Sequence, residues 1–202
     1  MVMADELQGK KIAFIATEGV EQVELTEPWK AVERAGGQPE LISIEDDEFH
    51  AWKHFDKADT FKPDKTAEEA QVGDYDGLVL PGGVANPDQL RTDENVVGFI
   101  RDFAAAGKPI GVICHGPWTL IEAGVVKGRK ITSWPSLQTD LRNAGAGWVD
   151  EEVVVDAGLV SSRKPDDLPA FNAKIVEEFA EGTHEESAEK TEQAIHAEAT
   201  PS

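Results

Sequence analysis

The chemistry of this 202-residue chain centres on its only cysteine, Cys114, inside KPIGVICHGPW, residues 108–118. Apolar and small residues lead into the sulfur, and His115, Gly116 and Pro117 follow at once. That order predicts a buried strand turning sharply into a helix, with the side chain forced outward as at the nucleophile elbow of hydrolases. The start of the following helix and a charged His115 would both favour a thiolate and lower the thiol pKa. The plain alternative is a buried, inert cysteine, since free cysteine is among the most buried residue types.

Neighbouring loops carry groups that such a sulfur would use. His115 needs a strained turn to share a proton with Cys114, because adjacent strand residues point to opposite sides. Asp88, after the PGG turn, is the best acid to hold its imidazole, reaching across from a neighbouring subunit if need be; otherwise His115 shapes the turn through backbone hydrogen bonds. Glu21 and Glu24 are three apart, so they share one face of a helix start and point toward the strand ends. One of them, raised in pKa by burial, is expected to hydrogen-bond the sulfur, although acidic residues favour any helix N-terminus. Gly82 and Gly83 suit a turn needing positive φ and equally an oxyanion hole of backbone N–H groups. Trp118 and Trp134 are candidate pocket walls. His50 and His54 have the spacing of two ligands on a helix, but their segment has no helical pattern and no third ligand. No metal or cofactor is therefore expected.

The surrounding sequence must position these loops. KKIAFIA (10–16), PELISI, DYDGLVLPGG and KPIGVIC read as strands, separated by helical patterns that stop at glycines. Strands alternating with helices mean a mostly parallel sheet covered on both faces, with ligands bound beyond the strand carboxyl ends. RKITSW, GAGWVDEEVVVD and GLVSSR are further segments to complete the sheet, and DDLPAFNAKIVEEFAEG is a closing helix. Residues 46–70 fit the alternation poorly and read as a hairpin excursion. Residues 1–181 form one domain on this reading, and 182–202 an acidic, disordered or loosely helical tail.

The length suits one core without staples. One cysteine excludes an internal disulfide framework, so a reducing cytoplasm is the expected compartment. The apolar runs are too short to cross a bilayer. A formal charge of -20 argues against a nucleic-acid scaffold as partner.

The segments FIATEGVEQVEL, YDGLVLPGG, NPDQLR, GKPIGVICHGPWTL, GRKITSWPS and EVVVDAGLVSSRKPDDLPAF resemble the PfpI-type intracellular peptidase, general stress protein and deglycase family, within the class I glutamine amidotransferase-like superfamily. The resemblance spans residues 10–181. It implies an α/β, flavodoxin-like three-layer sandwich with a mostly parallel central sheet, assembling as a homodimer and further into hexamers. It makes Cys114 the nucleophile, His115 its neighbour, and Glu24 the protonated glutamate against the thiol, with Glu21 one turn earlier. Asp88 replaces a glutamate of archaeal peptidase members, and Trp134 a tyrosine. The implied function is a stress-response thiol hydrolase of deglycase or glyoxalase type, acting on small aldehydes such as methylglyoxal or on glycated protein. The alternatives are an ATP-independent cysteine peptidase and a redox-sensing or chaperone-like protein without turnover.

Overall fold

In KIAFI four of the five residues are fully buried, as expected of a strand covered on both faces. It forms β1 (Lys11–Ile15) of a computed structural model that describes residues 5–198. α1 (Gln22–Arg34) follows, then β2 (Gln38–Ser43), a hairpin of β3 (Phe49–Lys53) and β4 (Asp56–Phe61), and the short β5 (Lys65–Thr66). Next come β6 (Gly77–Leu80), α2 (Ala85–Leu90), α3 (Glu94–Ala105), β7 (Ile110–Ile113) and α4 (Pro117–Glu122). The remainder is β8 (Lys130–Ile131), α5 (Gln138–Asn143), β9 (Gly147–Trp148), β10 (Val153–Asp156), β11 (Leu159–Ser162), α6 (Leu168–Glu181) and α7 (Glu185–Glu198).

Seven strands make the main sheet in the order β10-β11-β7-β6-β1-β2-β5, with every pairing parallel except β10 with β11. Apolar side chains fill both faces. One core cluster includes Tyr75, Phe99, Phe103 and Leu120 beneath α3 and α4; the other includes Phe14, Val32, Phe171 and Ile175 beneath α1 and α6. This is the α/β, flavodoxin-like three-layer sandwich.

The excursion at 46–70 is an antiparallel hairpin with a bulge between His50 and Trp52. It is tied to the loop after β1: Gly19 N–H donates to His50 O, Trp52 N–H donates to Val20 O, and the Glu18 carboxylate accepts from His50 N–H. RKITSW and GAGW depart from expectation. They pair with each other as β8 and β9 outside the main sheet, because β11 already occupies the free edge of β7. Of the expected acidic tail, residues 185–198 form α7 against α3, burying Ser187, Thr191 and Ala194. Residues 199–202 lie outside the described residues. Sequence reasoning missed this helix because little of its surface is apolar and its docking depends on polar partners.

Candidate active site

β1, β6 and β7 are adjacent parallel strands, so the loops leaving their carboxyl ends converge. At the last of them Cys114 adopts φ 63, a left-handed conformation that ordinary residues avoid. Its N–H donates to Ser162 O at 3.1 Å, and its carbonyl accepts from Trp134 N–H at 2.9 Å. These bonds clamp the turn from both sides.

The double glycine on the loop after β6 meets two separate demands. A Cβ on Gly82 would stand 2.7 Å from both Cys114 Cβ and Glu24 Oε2, so only hydrogen fits between acid and thiol. Gly83 adopts φ 80, and a Cβ there would stand 2.4 Å from Gly19 O. Asn86, fully buried, stitches this loop to the one after β1. Its Oδ1 accepts from Thr17 N–H at 2.8 Å, and its Nδ2 donates to Pro81 O and Gly82 O.

Glu24 lies in the first turn of α1 with no exposed surface. Its Oε2 accepts from Gly82 N–H at 2.9 Å, its carboxyl lies beside the Cys114 side chain across Gly82, and its Oε1 lacks a hydrogen-bond partner. Burial, reinforced by the Glu21 charge, pushes its pKa up to about 8, so at neutral pH it is mostly a carboxylic acid with a proton to donate. Glu21, by contrast, turns to the hairpin and accepts from His54 N–H at 3.0 Å. The two carboxyls thus separate into one on the sulfur and one on β3–β4.

Cys114 itself differs from expectation. The residue is only 6% exposed, and burial together with the Glu24 charge pushes its thiol above the ordinary range, against the pull of the Gly83 and His115 N–H groups. His115 brings no countercharge, because burial lowers its pKa to about 4 and leaves the imidazole neutral. Two negative charges in so dry a site are prohibitive, so Glu24 and Cys114 keep at least one proton between them at neutral pH.

His115 Nδ1 lies 3.1 Å from Cys114 Sγ, and its Nε2 lies 3.3 Å from Ser136 Oγ. The ring stacks on Trp134 with centroids 5.9 Å apart and meets Trp118 edge-on at 5.3 Å. Trp118 is itself held, its Nε1–H donating to Asp140 and the Arg91 guanidinium lying over its ring. Asp88 takes no part in this arrangement within one chain. Its exposed carboxylate pairs with Arg91 at 2.7 Å, an i,i+3 neighbour one helical turn away. Gly82 is also not a free oxyanion donor, because its N–H is committed to Glu24, whereas the Gly83 and His115 N–H groups face the sulfur.

Sequence reasoning missed Ser136 and Asn86. Asn86 stands next to Pro87 in NPDQLR, and an Asn just beyond a PGG turn is a usable signal for a loop-holding amide. Ser136 gave no signal, because contact with His115 arises only when the loop after β8 folds over the elbow.

A model of the DJ-1/PfpI family matches residues 10–178. Protein/nucleic acid deglycase 2 of Escherichia coli is 45% identical over 168 residues, which cover 83% of this chain and 96% of that protein. General stress protein 18 of Bacillus subtilis is 44% identical over 165 residues, covering 81% and 94% respectively. Among solved structures, a two-domain protein of Anabaena variabilis containing DJ-1/ThiJ/PfpI-like and ferritin-like domains matches with a TM-score of 0.79 at 32% identity. The match covers 83% of this chain and 47% of that one, so this chain spans about half its length.

Proposed function

Because the chain belongs to the DJ-1/PfpI family, we propose that the cluster around Cys114 is the active site of a cysteine-dependent hydrolase that removes 2-oxoaldehyde adducts from amines, a deglycase. The observation that carries this reading is the wholly buried Glu24 carboxyl beside the thiol, combined with a His115 that has no carboxylate partner among the described residues. A proton-delivering acid beside the thiol fits addition and elimination at an aldehyde-level carbon better than amide hydrolysis through a Cys-His-acid triad.

The substrate is the carbinolamine formed by an amine and methylglyoxal or glyoxal. The thiol stays protonated until it reacts: His115 Nδ1, 3.1 Å from Sγ, takes its proton only as the sulfur bonds to the carbinol carbon and the C–N bond breaks. The amine leaves with a proton from Glu24. In the resulting hemithioacetal one proton moves from the carbinol carbon to the adjacent carbonyl carbon through an enediol, leaving a thioester. Water cleaves the thioester to a 2-hydroxy acid and restores the thiol. The net reaction consumes one water and needs no external oxidant or reductant. The Gly83 and His115 amides steady the oxygen that gains charge in the last step, and Trp118 bounds the space for the short carbon chain. Self-association, as a dimer or hexamer in which Asp88 approaches a neighbouring copy, and a cytoplasmic compartment suited to a lone thiol belong to the same reading.

The test compares wild type with Cys114→Ser on methylglyoxal-treated peptide, on casein, and for mass gain in peroxide. Release of free amine and 2-hydroxy acid, reduced at least about 1000-fold in the variant, is the expected result. Casein cleavage lost in the variant would establish the peptidase instead. Peroxide oxidation of Cys114 without turnover of either substrate would establish a redox sensor.

A further inference from the structure

A second carboxyl, far from Cys114 in sequence, also has one buried oxygen without a hydrogen-bond partner. Glu178, near the end of α6, is 7% exposed, and its Oε2 has no hydrogen-bond partner. The helix ends after Glu181, where Gly182 adopts φ 90 and ψ -140 and reverses the chain. His184 then folds back so that its Nε2 lies 3.2 Å from Glu178 Oε2. No hydrogen-bond geometry joins the two atoms, and the buried Nε2 has no other partner. Glu181, one turn beyond Glu178 on the same face of α6, brings a third ligand atom, and all three lie within 4.8 Å of one another.

The histidine is fixed in place. Its N–H donates to Gly107 O at 2.8 Å, its carbonyl accepts from Ser187 N–H to begin α7, and its ring lies over Gly158, where a Cβ would stand 2.7 Å from Cδ2. Two ligands of a tetrahedral zinc ion, each about 2.0 to 2.1 Å from the metal, stand roughly 3.4 Å apart. The observed 3.2 Å between Nε2 and Oε2 is close to that spacing. One imidazole and two carboxylates suit zinc, whereas calcium takes six to eight oxygens. The exposed side at Glu181 leaves access for a water as fourth ligand. The same 3.2 Å spacing also suits a histidinium–carboxylate ion pair, which needs no third ligand from Glu181, so the role of Glu181 distinguishes the two.

We propose that Glu178, Glu181 and His184 form a binding site for a divalent transition ion of the zinc type, which fastens α7 to the end of α6. The residues matched by the family model stop at 178, so the site joins the shared core to the segment that follows it. It lies at residues the sequence analysis did not single out, away from His50 and His54.

The experiment uses the full chain carrying Cys114→Ser, so that the thiol cannot bind the ion. Zinc chloride is titrated by calorimetry, and hydrogen exchange is followed across 185–198. One zinc per chain and slowed exchange in α7 are expected, with Glu181→Gln and His184→Ala each weakening binding at least about tenfold and exposed Glu189→Gln leaving it unchanged. Cobalt in place of zinc should give a visible d–d band that Glu181→Gln alters. The Glu181 side chain is exposed, so this variant reports on the ion even if His184→Ala releases α7 by itself. Absence of stoichiometric zinc binding, binding insensitive to Glu181→Gln, or equal protection by millimolar magnesium would overturn the proposal.

Discussion

Around Cys114 the geometry is set by backbone against backbone: Cys114 with Ser162 and Trp134, Gly82 within a methyl group's width of the thiol, Gly83 against Gly19. α7 is held by long polar side chains instead. Arg129, 3% exposed, donates through Nη2 to Ser187 Oγ at 2.7 Å, Lys190 pairs with Asp156 and with Glu186, and His184 faces Glu178. Both regions leave a buried carboxyl oxygen without a donor, Glu24 Oε1 in one and Glu178 Oε2 in the other. A site built from backbone holds its groups to a fraction of an ångström and tolerates no added atoms. A dock built from side chains can open and close while the core stays folded.

The largest effect that separates the two regions is expected from Gly82→Ala. Its methyl would strike Cys114 Cβ, Glu24 Oε2 and His115 N together. Deglycase activity should fall at least about 100-fold and stability by roughly 1 to 3 kcal/mol, measured by single-turnover kinetics and urea unfolding. A variant with near-normal activity would show that the elbow is softer than its contacts imply.

Next comes the pH dependence of the buried acid. Glu24 has a folded-state pKa raised to about 8 from an ordinary 4.5, so the folded chain holds its proton where the unfolded chain has lost it. This contribution is complete below pH 4.5, declines as pH rises, and is gone above pH 8, on the order of 5 kcal/mol in all. Glu24→Gln should therefore fold, remove that part of the decline in urea midpoint between pH 4.5 and 8, and lower kcat/KM by roughly 100-fold or more. Parallel stability curves for variant and wild type across this window would place the proton elsewhere.

The smallest effect sharpens the other side. Arg129→Ala leaves Ser187 Oγ buried without its donor and should cost about 1 to 2 kcal/mol of local stability. Hydrogen exchange should accelerate across α7 alone, with activity at Cys114 within about twofold of wild type. Loss of activity in step with α7 opening would mean that the two regions are coupled.

Much of this was legible in the sequence. The continuous apolar strands before PGG and before CHGP fix β6 and β7 as neighbours beneath converging loops, and glycines end the helices where expected. The acid touching the sulfur was legible only as a pair. Glu21 and Glu24 lie one turn apart, and which one faces the thiol depends on how α1 is rotated against the sheet, which is a tertiary fact. The thiol's protonation was misread for a related reason: helix ends and histidines can be seen in a sequence, but the depth of burial that leaves His115 neutral cannot. Asp88 pairs with Arg91 within the chain, while its reach toward a second copy is a matter of assembly that one chain's sequence does not display. α7 was hardest, since its docking partners Arg129 and Asp156 belong to loops distant in sequence.

The left-handed backbone at Cys114 carries roughly 1 to 2 kcal/mol of unfavourable conformation that glycine would not. Selection for heat tolerance alone would thus tend to replace the sulfur with nothing at all, yielding a sturdier and inert protein. Libraries ranked by melting temperature would drift toward silence at this position, and only a screen that also scores turnover would retain the thiol.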